Sequence, residues 1–93
     1  MDDSIIMYAR ERYCPDVTRA RTHLSTHALT WTEHDIDSDE EAAAMVQTLT
    51  GQRRVPTLVI GDTVLVEPSD ADLDAALAAA GFIGEALSAR ASA

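Results

Sequence analysis

Short apolar runs alternate along this chain with segments whose apolar residues recur every three or four positions. Such alternation is typical of a sheet whose strands are connected by helices. Residues 4–9 and 31–36 have strand character, and helical spacing follows them over 14 to about 28 and over 38–50. Strands joined through a helix pair in parallel, because the crossover returns the chain to the same end of the sheet. The sequence therefore predicts an α/β fold.

The C-terminal half has the pattern of a β-hairpin. Two β-rich runs, 57–60 and 63–66, are separated by Gly61 and Asp62, and a pair of this type favours a tight turn between antiparallel strands. A last helical segment follows. The predicted order is therefore β-α-β-α-β-β-α, with a four-stranded mixed sheet flanked by helices. That order is the arrangement of a thioredoxin-like fold.

Polar residues and a glycine mark the ends of the second and third helices. Ser38 offers an N-cap oxygen, and Glu41 stands where a capping box places its acidic partner. Ser69 and Asp72 repeat this pattern before the third helix. Gly51 is placed to end the second helix in the left-handed conformation. The predicted apolar face of the second helix consists of Ala42, Met45, Val46 and Leu49.

Length and charge narrow the classes of function. The 93 residues predict one domain over residues 1–82 and a frayed or weakly helical tail over 83–93. A net charge of −9 argues against nucleic-acid binding, because domains that bind phosphate backbones usually carry a basic face. The chain starts without the basic segment of a signal peptide, and no apolar stretch approaches the roughly 20 residues of a membrane span. We expect a cytoplasmic protein with no membrane partner.

Cys14 is the only cysteine, and it lies between the first strand and the first helix, directly before Pro15. Proline is favoured in the first helical turn, so the thiol is expected at a helix N-terminus. Unpaired backbone amides there favour the thiolate, which is the nucleophilic form of cysteine. A buried, inert cysteine is the alternative. The position between strand and helix favours a reactive thiol in a reducing compartment.

The positive charge of this acidic chain is concentrated near that thiol. All seven basic residues are arginines, and six of them form three pairs: Arg10 and Arg12, Arg19 and Arg21, and Arg53 and Arg54. In a thioredoxin-like fold the loops before Cys14 and before Pro56 converge, so the first and third pairs would surround the thiol. They would favour the thiolate and attract anionic partners. An ordinary solvated surface is the alternative.

His23 and His27 stand four residues apart on the first predicted helix, a spacing that brings both rings to one face. Two such rings can chelate a metal ion. No third ligand of suitable type is near in the sequence, and His34 belongs to another element. We therefore expect no metal site and interpret the pair as exposed or half-exposed helix residues.

Two motifs, in this order, carry a resemblance to a known family. Cys-Pro-Asp-Val at 14–17 directly follows the first strand, and Val-Pro-Thr at 55–57 directly precedes the third. The chain resembles the glutaredoxin family, which carries a Cys-Pro-x-Cys loop and a Thr-Val-Pro loop whose proline is cis. Together with Glu-Pro-Ser-Asp at 67–70, the motifs most resemble those of mycoredoxins and their glutaredoxin-like relatives. The similarity covers roughly residues 4–82.

The resemblance implies a thiol–disulfide oxidoreductase with Cys14 as its catalytic residue. The backbone of Val55 would pair with an extended ligand, and the amides of Ser69 and Asp70 would receive a carboxylate of glutathione. Mycothiol, a sugar-linked thiol without free carboxylates, is the alternative. The residues implied to bind the small thiol or the substrate are Arg12, Tyr13, Arg54, Val55, Pro56, Ser69 and Asp70.

Two features depart from the family pattern. The loop before Cys14 is one residue longer than usual, and Val17 stands where these proteins usually carry the resolving cysteine. We therefore expect a monothiol enzyme that reduces mixed disulfides of protein substrates. It would be a monomer with no tightly bound cofactor, and mycothiol or glutathione would be its co-substrate.

Two other functions stay open on the sequence alone. A domain that has lost catalytic competence would act as a binding module or a redox sensor with the same fold. An iron–sulfur carrier would share a cluster between two chains through Cys14 and two small thiols. Against the carrier, Pro15 stiffens a position that is glycine in the monothiol proteins with that role.

Overall fold

A computed structural model of the protein describes residues 4–84, and the predicted tail from residue 85 onward lies outside the described residues. Within residues 4–84 no helix is both long and apolar enough to cross a bilayer. The elements along the chain are β1 (Ile5–Ala9), α1 (Pro15–Thr26), β2 (Thr32–Asp35), α2 (Glu40–Thr50), β3 (Thr57–Ile60), β4 (Thr63–Val66) and α3 (Asp70–Ala79).

The four strands form one mixed sheet in the order β2-β1-β3-β4. β1 pairs with β2 in parallel, and β3 pairs antiparallel with both β1 and β4. The predicted parallel crossover and the predicted hairpin are thereby confirmed, as is the thioredoxin-like fold. In the antiparallel register Tyr8 is opposite Thr57. The chain leaving β1 and the chain entering β3 therefore lie side by side at one edge of the sheet.

Alternating side chains of β1 serve two hydrophobic cores on opposite faces of the sheet. Ile5, Met7 and Ala9 pack with the buried side chains of α1 and α3, whereas Tyr8 packs with the buried side chains of α2. This alternation follows from the pleat of a strand, in which successive side chains point to opposite faces. The domain therefore has three layers, with α1 and α3 together on one side of the sheet.

The second helix differs from its prediction in its cap and in its buried face. Asp39, not Ser38, is the N-cap, and its side chain accepts a hydrogen bond from the amide of Ala42 at 3.1 Å. The predicted face included Met45 and Leu49, which are 46% and 39% exposed. The buried side chains are Ala42, Ala43 and Val46. Small residues face the sheet, so the helix packs close to it.

The first helix is shorter than predicted, while the C-terminal end of α2 and the N-terminal cap of α3 agree with the sequence. α1 ends at Thr26, and Ala28, the predicted last residue, has left the helix with a positive φ of 58°. Gly51 ends α2 in the left-handed conformation, with φ 80°. Ser69 and Asp72 form the predicted capping box of α3.

The position of the α2 cap predicts a difference between two neighbouring substitutions. Asp39→Ala is expected to lower the free energy of unfolding by about 0.5–2 kcal/mol, because it removes the acceptor for the Ala42 amide. Ser38→Ala is expected to stay within about 0.5 kcal/mol of the parent protein, because exposed side chains outside a cap contribute little. Urea unfolding of both variants measures the contrast, and equal losses would contradict the assigned cap.

Candidate functional site

Cys14 lies at the junction of β1 and α1, where the sequence predicts it. It is the N-cap residue of α1, with extended backbone angles of φ −142° and ψ 118°, and Pro15 is the first helical residue. Its side chain makes no capping hydrogen bond, is half-buried and packs against the core shared by α1 and α3. The residue therefore lies at the unpaired amides of a helix N-terminus and is partly exposed to solvent.

The loop before β3 is held firmly by two hydrogen bonds. The hydroxyl of Thr57, which is fully buried, donates to the carbonyl of Arg54 at 2.8 Å. The amide of Glu67 donates to the carbonyl of Pro56 at 2.8 Å, which joins this loop to the segment between β4 and α3. The Val55–Pro56 peptide bond is cis, as the resemblance implies.

Val55 is the one residue of this loop whose side chain packs against both hydrophobic cores. Within residues 4–84 its own backbone amide and carbonyl take part in no hydrogen bond, although the carbonyls of Arg54 and Pro56 on either side do. A fixed backbone segment with free donor and acceptor groups is suited to pair with an extended ligand. The predicted role of Val55 requires this arrangement.

Three loops meet at the edge of the sheet where the thiol lies. The guanidinium of Arg10 donates to the carbonyl of Arg53 at 2.9 Å, which connects the loop after β1 to the loop before β3. Arg19 of α1 donates to the carbonyl of Pro68 at 3.2 Å, which connects the thiol-bearing helix to the loop before α3. The predicted site residues around Cys14 therefore belong to adjoining loops.

The structure gives most of the predicted cationic side chains acidic partners. Arg10 pairs with Asp37 at 2.5 Å, Arg53 pairs with Glu40 at 3.3 Å, and Arg54 pairs with Glu67 at 3.5 Å. Arg12 is exposed, and among residues 4–84 its side chain has no ion pair or hydrogen bond. Tyr13, next to Cys14, is 75% exposed. Direct contact of these residues with a bound thiol stays a prediction.

Arg21 is a cation of α1 that the sequence did not place at the site. Its guanidinium makes a two-pronged contact with the Glu33 carboxylate on β2. The pKa of Arg21 is raised, chiefly by that hydrogen bond and further by the charges of Glu33 and Cys14, against an opposing effect of burial. Arg21 follows Cys14 by seven residues, or two helical turns, so the sequence spacing alone indicates that both residues lie on the same face of α1.

The start of α3 is the least open part of the predicted binding site. The Ser69 amide already donates to the Asp72 carboxylate at 3.1 Å, as the second half of the capping box. Asp70 is exposed, and its carboxylate approaches Arg19 at 3.9 Å. Of the two amides predicted to receive a ligand carboxylate, only that of Asp70 is free of hydrogen bonds within residues 4–84.

Solved structures share this architecture. The glutaredoxin grx-1 from Archaeoglobus fulgidus is 22% identical, with a TM-score of 0.69, and the match covers 81% of this chain and 86% of that chain. Glutaredoxin 2 from Chlamydomonas reinhardtii, solved in its oxidised form, is 25% identical with a TM-score of 0.63, covering 86% and 84%. A buckwheat glutaredoxin in complex with glutathione is 20% identical with a TM-score of 0.64, covering 86% and 81%. No functionally curated protein matches the sequence.

The sequence also matches a model of a protein family, in addition to the match in fold. The model of the glutaredoxin family matches residues 5–65, roughly two thirds of the 93 residues. That range contains both Cys14 and the cis Val55–Pro56 bond. Fold and family together indicate the general chemistry of thiol–disulfide exchange, and this chain belongs to the glutaredoxin family.

Proposed function

We propose that this protein is a monothiol oxidoreductase, which reduces mixed disulfides between proteins and a low-molecular-weight thiol. The observation that carries the proposal is the free backbone of Val55 beside the loop of a half-buried N-cap cysteine. A small thiol with a peptide-like backbone would pair with Val55 while its sulfur meets Cys14. Arg12, Tyr13 and Arg54 would line the bound ligand, and Pro56, whose side chain is fully buried, would hold the loop that carries Val55 in position.

The reaction consists of two exchanges. The Cys14 thiolate attacks the small-thiol sulfur of the mixed disulfide, so a new disulfide forms on Cys14 and the protein substrate leaves as a thiolate that takes up a proton. A second small thiol, as its thiolate, then attacks the small-thiol sulfur bound to Cys14. This step returns Cys14 as a thiolate and releases the oxidised small disulfide. Over one cycle the mixed disulfide and one free small thiol become the protein thiol and the oxidised small disulfide.

Val17 restricts the chemistry to this route. It is the third residue of α1, is 1% exposed, and belongs to the core between α1 and the sheet. An aliphatic side chain here cannot attack a disulfide trapped on Cys14, so no resolution from within the protein is available. Substrates with an internal disulfide, which depend on such resolution, would react poorly.

The charge around α3 favours mycothiol over glutathione as the small thiol. A glutathione carboxylate at the start of α3 would meet the Asp70 carboxylate, with the Ser69 amide already bound to Asp72. The helix N-terminus attracts an anion, but the negative charge of the Asp70 carboxylate opposes its binding. Mycothiol has no free carboxylates, so it meets no such repulsion.

Comparing the two thiols as the second reactant tests this preference. We expect a higher kcat/KM with mycothiol than with glutathione. Asp70→Asn is expected to raise kcat/KM for glutathione by about two- to fivefold, because it removes one negative charge from the helix start. The same substitution should leave the value for mycothiol nearly unchanged. An equal gain with both thiols would contradict the electrostatic explanation.

The remaining features of the proposal follow from its chemistry. A free thiolate nucleophile requires a reducing environment, so we propose that the protein acts in the cytoplasm. We also propose that it acts as a monomer. Its partners would be the small thiol and the proteins whose mixed disulfides it reduces. The exchange needs no tightly bound cofactor, because the electrons come from the small thiol itself.

A further inference from the structure

Three metal-binding side chains meet on the face where α1 and α3 pack together. His23 and His27 extend from α1, and Asp74 extends from α3. The Asp74 Oδ1 lies 2.7 Å from Nε2 of His23 and 3.1 Å from Nε2 of His27. The ligand atoms of the three residues all lie within 4.8 Å of one another. The third ligand is distant in the sequence, and packing of the two helices brings it to the histidine pair.

The two nitrogen–oxygen distances are close to those of a four-coordinate metal site. With metal–ligand distances of about 2.0–2.1 Å, a tetrahedral Zn²⁺ separates its ligand atoms by about 3.3 Å. The carboxylate oxygen would have to move away from each nitrogen by only about 0.2–0.6 Å. Two imidazole nitrogens and one carboxylate oxygen are a ligand set that Zn²⁺ commonly uses.

The surroundings of His23 also suit a metal ligand. Its Nδ1, on the far side of the ring from Asp74, lies 3.6 Å from the carboxylate of Asp70. A metal-bound histidine generally directs its second ring nitrogen at a carboxylate or carbonyl, which fixes the ring. The side chains of His23 and His27 are 17% and 29% exposed, and that of Asp74 is 46% exposed. The cluster is thus supported from within and open to water on one side.

From this geometry we propose that His23, His27 and Asp74 form a Zn²⁺ site with three protein ligands and one position for water. The ion would replace the hydrogen-bonding protons between the two rings and the carboxylate, and it would clamp α1 to α3. The site is separate from the thiol, since His23 follows Cys14 by about 13 Å of helix.

Titration of the metal-free protein with Zn²⁺ tests the proposal. Cys14→Ser serves as the parent protein, because it removes the thiol as a competing zinc ligand. We expect one Zn²⁺ per chain. His27→Gln is expected to weaken binding at least about tenfold, since loss of even an outer partner of a metal ligand costs about 10–100-fold. His34→Gln, which changes a histidine stacked on Tyr8 of the other sheet face, is the matched control and should bind like the parent.

Two further measurements distinguish this site from weak surface binding. Co²⁺ in the same parent should give the visible absorption of a four-coordinate ion, and Asp74→Asn should abolish that absorption. Zn²⁺ should raise the thermal midpoint of the parent but not that of His27→Gln, whose own cooperative melting shows that it is folded. Zn²⁺ binding of equal strength in the parent and in His27→Gln would overturn the proposal. So would the absence of stoichiometric binding to the parent. None of these readouts depends on redox activity.

Discussion

Replacing Cys14 by serine is expected to lower kcat/KM for mixed-disulfide reduction by at least about a thousandfold. Both exchange steps pass through the Cys14 sulfur, and a hydroxyl at the same position cannot form the intermediate disulfide. The rate in wild type and variant is measured by coupling the formation of the oxidised small disulfide to a reductase that regenerates the small thiol. Turnover of Cys14→Ser near the wild-type rate would refute the proposed mechanism.

The position of Cys14 allows the substitution by serine to remove the sulfur without a loss of stability. Cys14 is the N-cap of α1 but makes no side-chain capping hydrogen bond, whereas serine is among the preferred N-cap residues. Cys14→Ser is therefore expected to unfold at the same urea concentration as wild type or at a higher one. With stability preserved, a loss of activity belongs to the missing sulfur and not to unfolding.

Replacing Val17 by cysteine is expected to raise an activity that the proposed mechanism leaves weak in the wild type. Positions 14 and 17 are the N-cap and third residue of α1, so their Cα atoms are about 5–6 Å apart, within the range a disulfide spans. The second thiol would resolve a mixed disulfide on Cys14 from within the protein. We expect the rate at which the protein reduces the disulfides of a protein substrate such as insulin to rise at least about tenfold.

Val17→Ala is the matched control for this gain. It also shortens a side chain that is 1% exposed, so it imposes a similar packing loss of about 1–2 kcal/mol without adding sulfur. Mass spectrometry of Val17→Cys under oxidising conditions would show the disulfide between Cys14 and the introduced thiol through the loss of two hydrogens. Should that disulfide form while insulin reduction stays at the wild-type level, the missing second thiol would not be what limits the enzyme.

The sequence predicts the fold well because its signals are local and mutually consistent. The apolar runs that form β1 and β3, the Gly61-Asp62 turn and the Ser69–Asp72 capping box each appear in the structure as predicted. Each depends on residues within a few positions of one another. Such signals are readable without knowledge of tertiary packing.

The errors on α2 have a physical reason. Ser38 and Asp39 are both good N-cap residues, and only the backbone angles, extended at Asp39, separate them. On the same helix, the apolar side chains span more than one possible stripe. The stripe through Ala43 is buried, and the one through Met45 is not, because close packing on the sheet favours the smaller side chains.

The candidate site, too, is predictable from the sequence only where its signals are local. The motifs identify Cys14 and the Val55–Pro56 loop, because local sequence specifies a helix start and a loop before a strand. The acidic partners of the arginines and the contact of Asp74 with His23 and His27 join residues that are distant in the chain. Such pairs depend on how helices and loops pack, which spacing along the sequence does not encode.

The most direct test of the central claim is to identify which half of a mixed disulfide becomes attached to Cys14. The protein is mixed with a peptide disulfide-bonded to mycothiol, or in parallel to glutathione, and the reaction is quenched with acid before mass spectrometry. The proposed mechanism predicts a small-thiol adduct on Cys14 and release of the peptide as a free thiol. A peptide adduct on Cys14, or no adduct with either substrate, would contradict it.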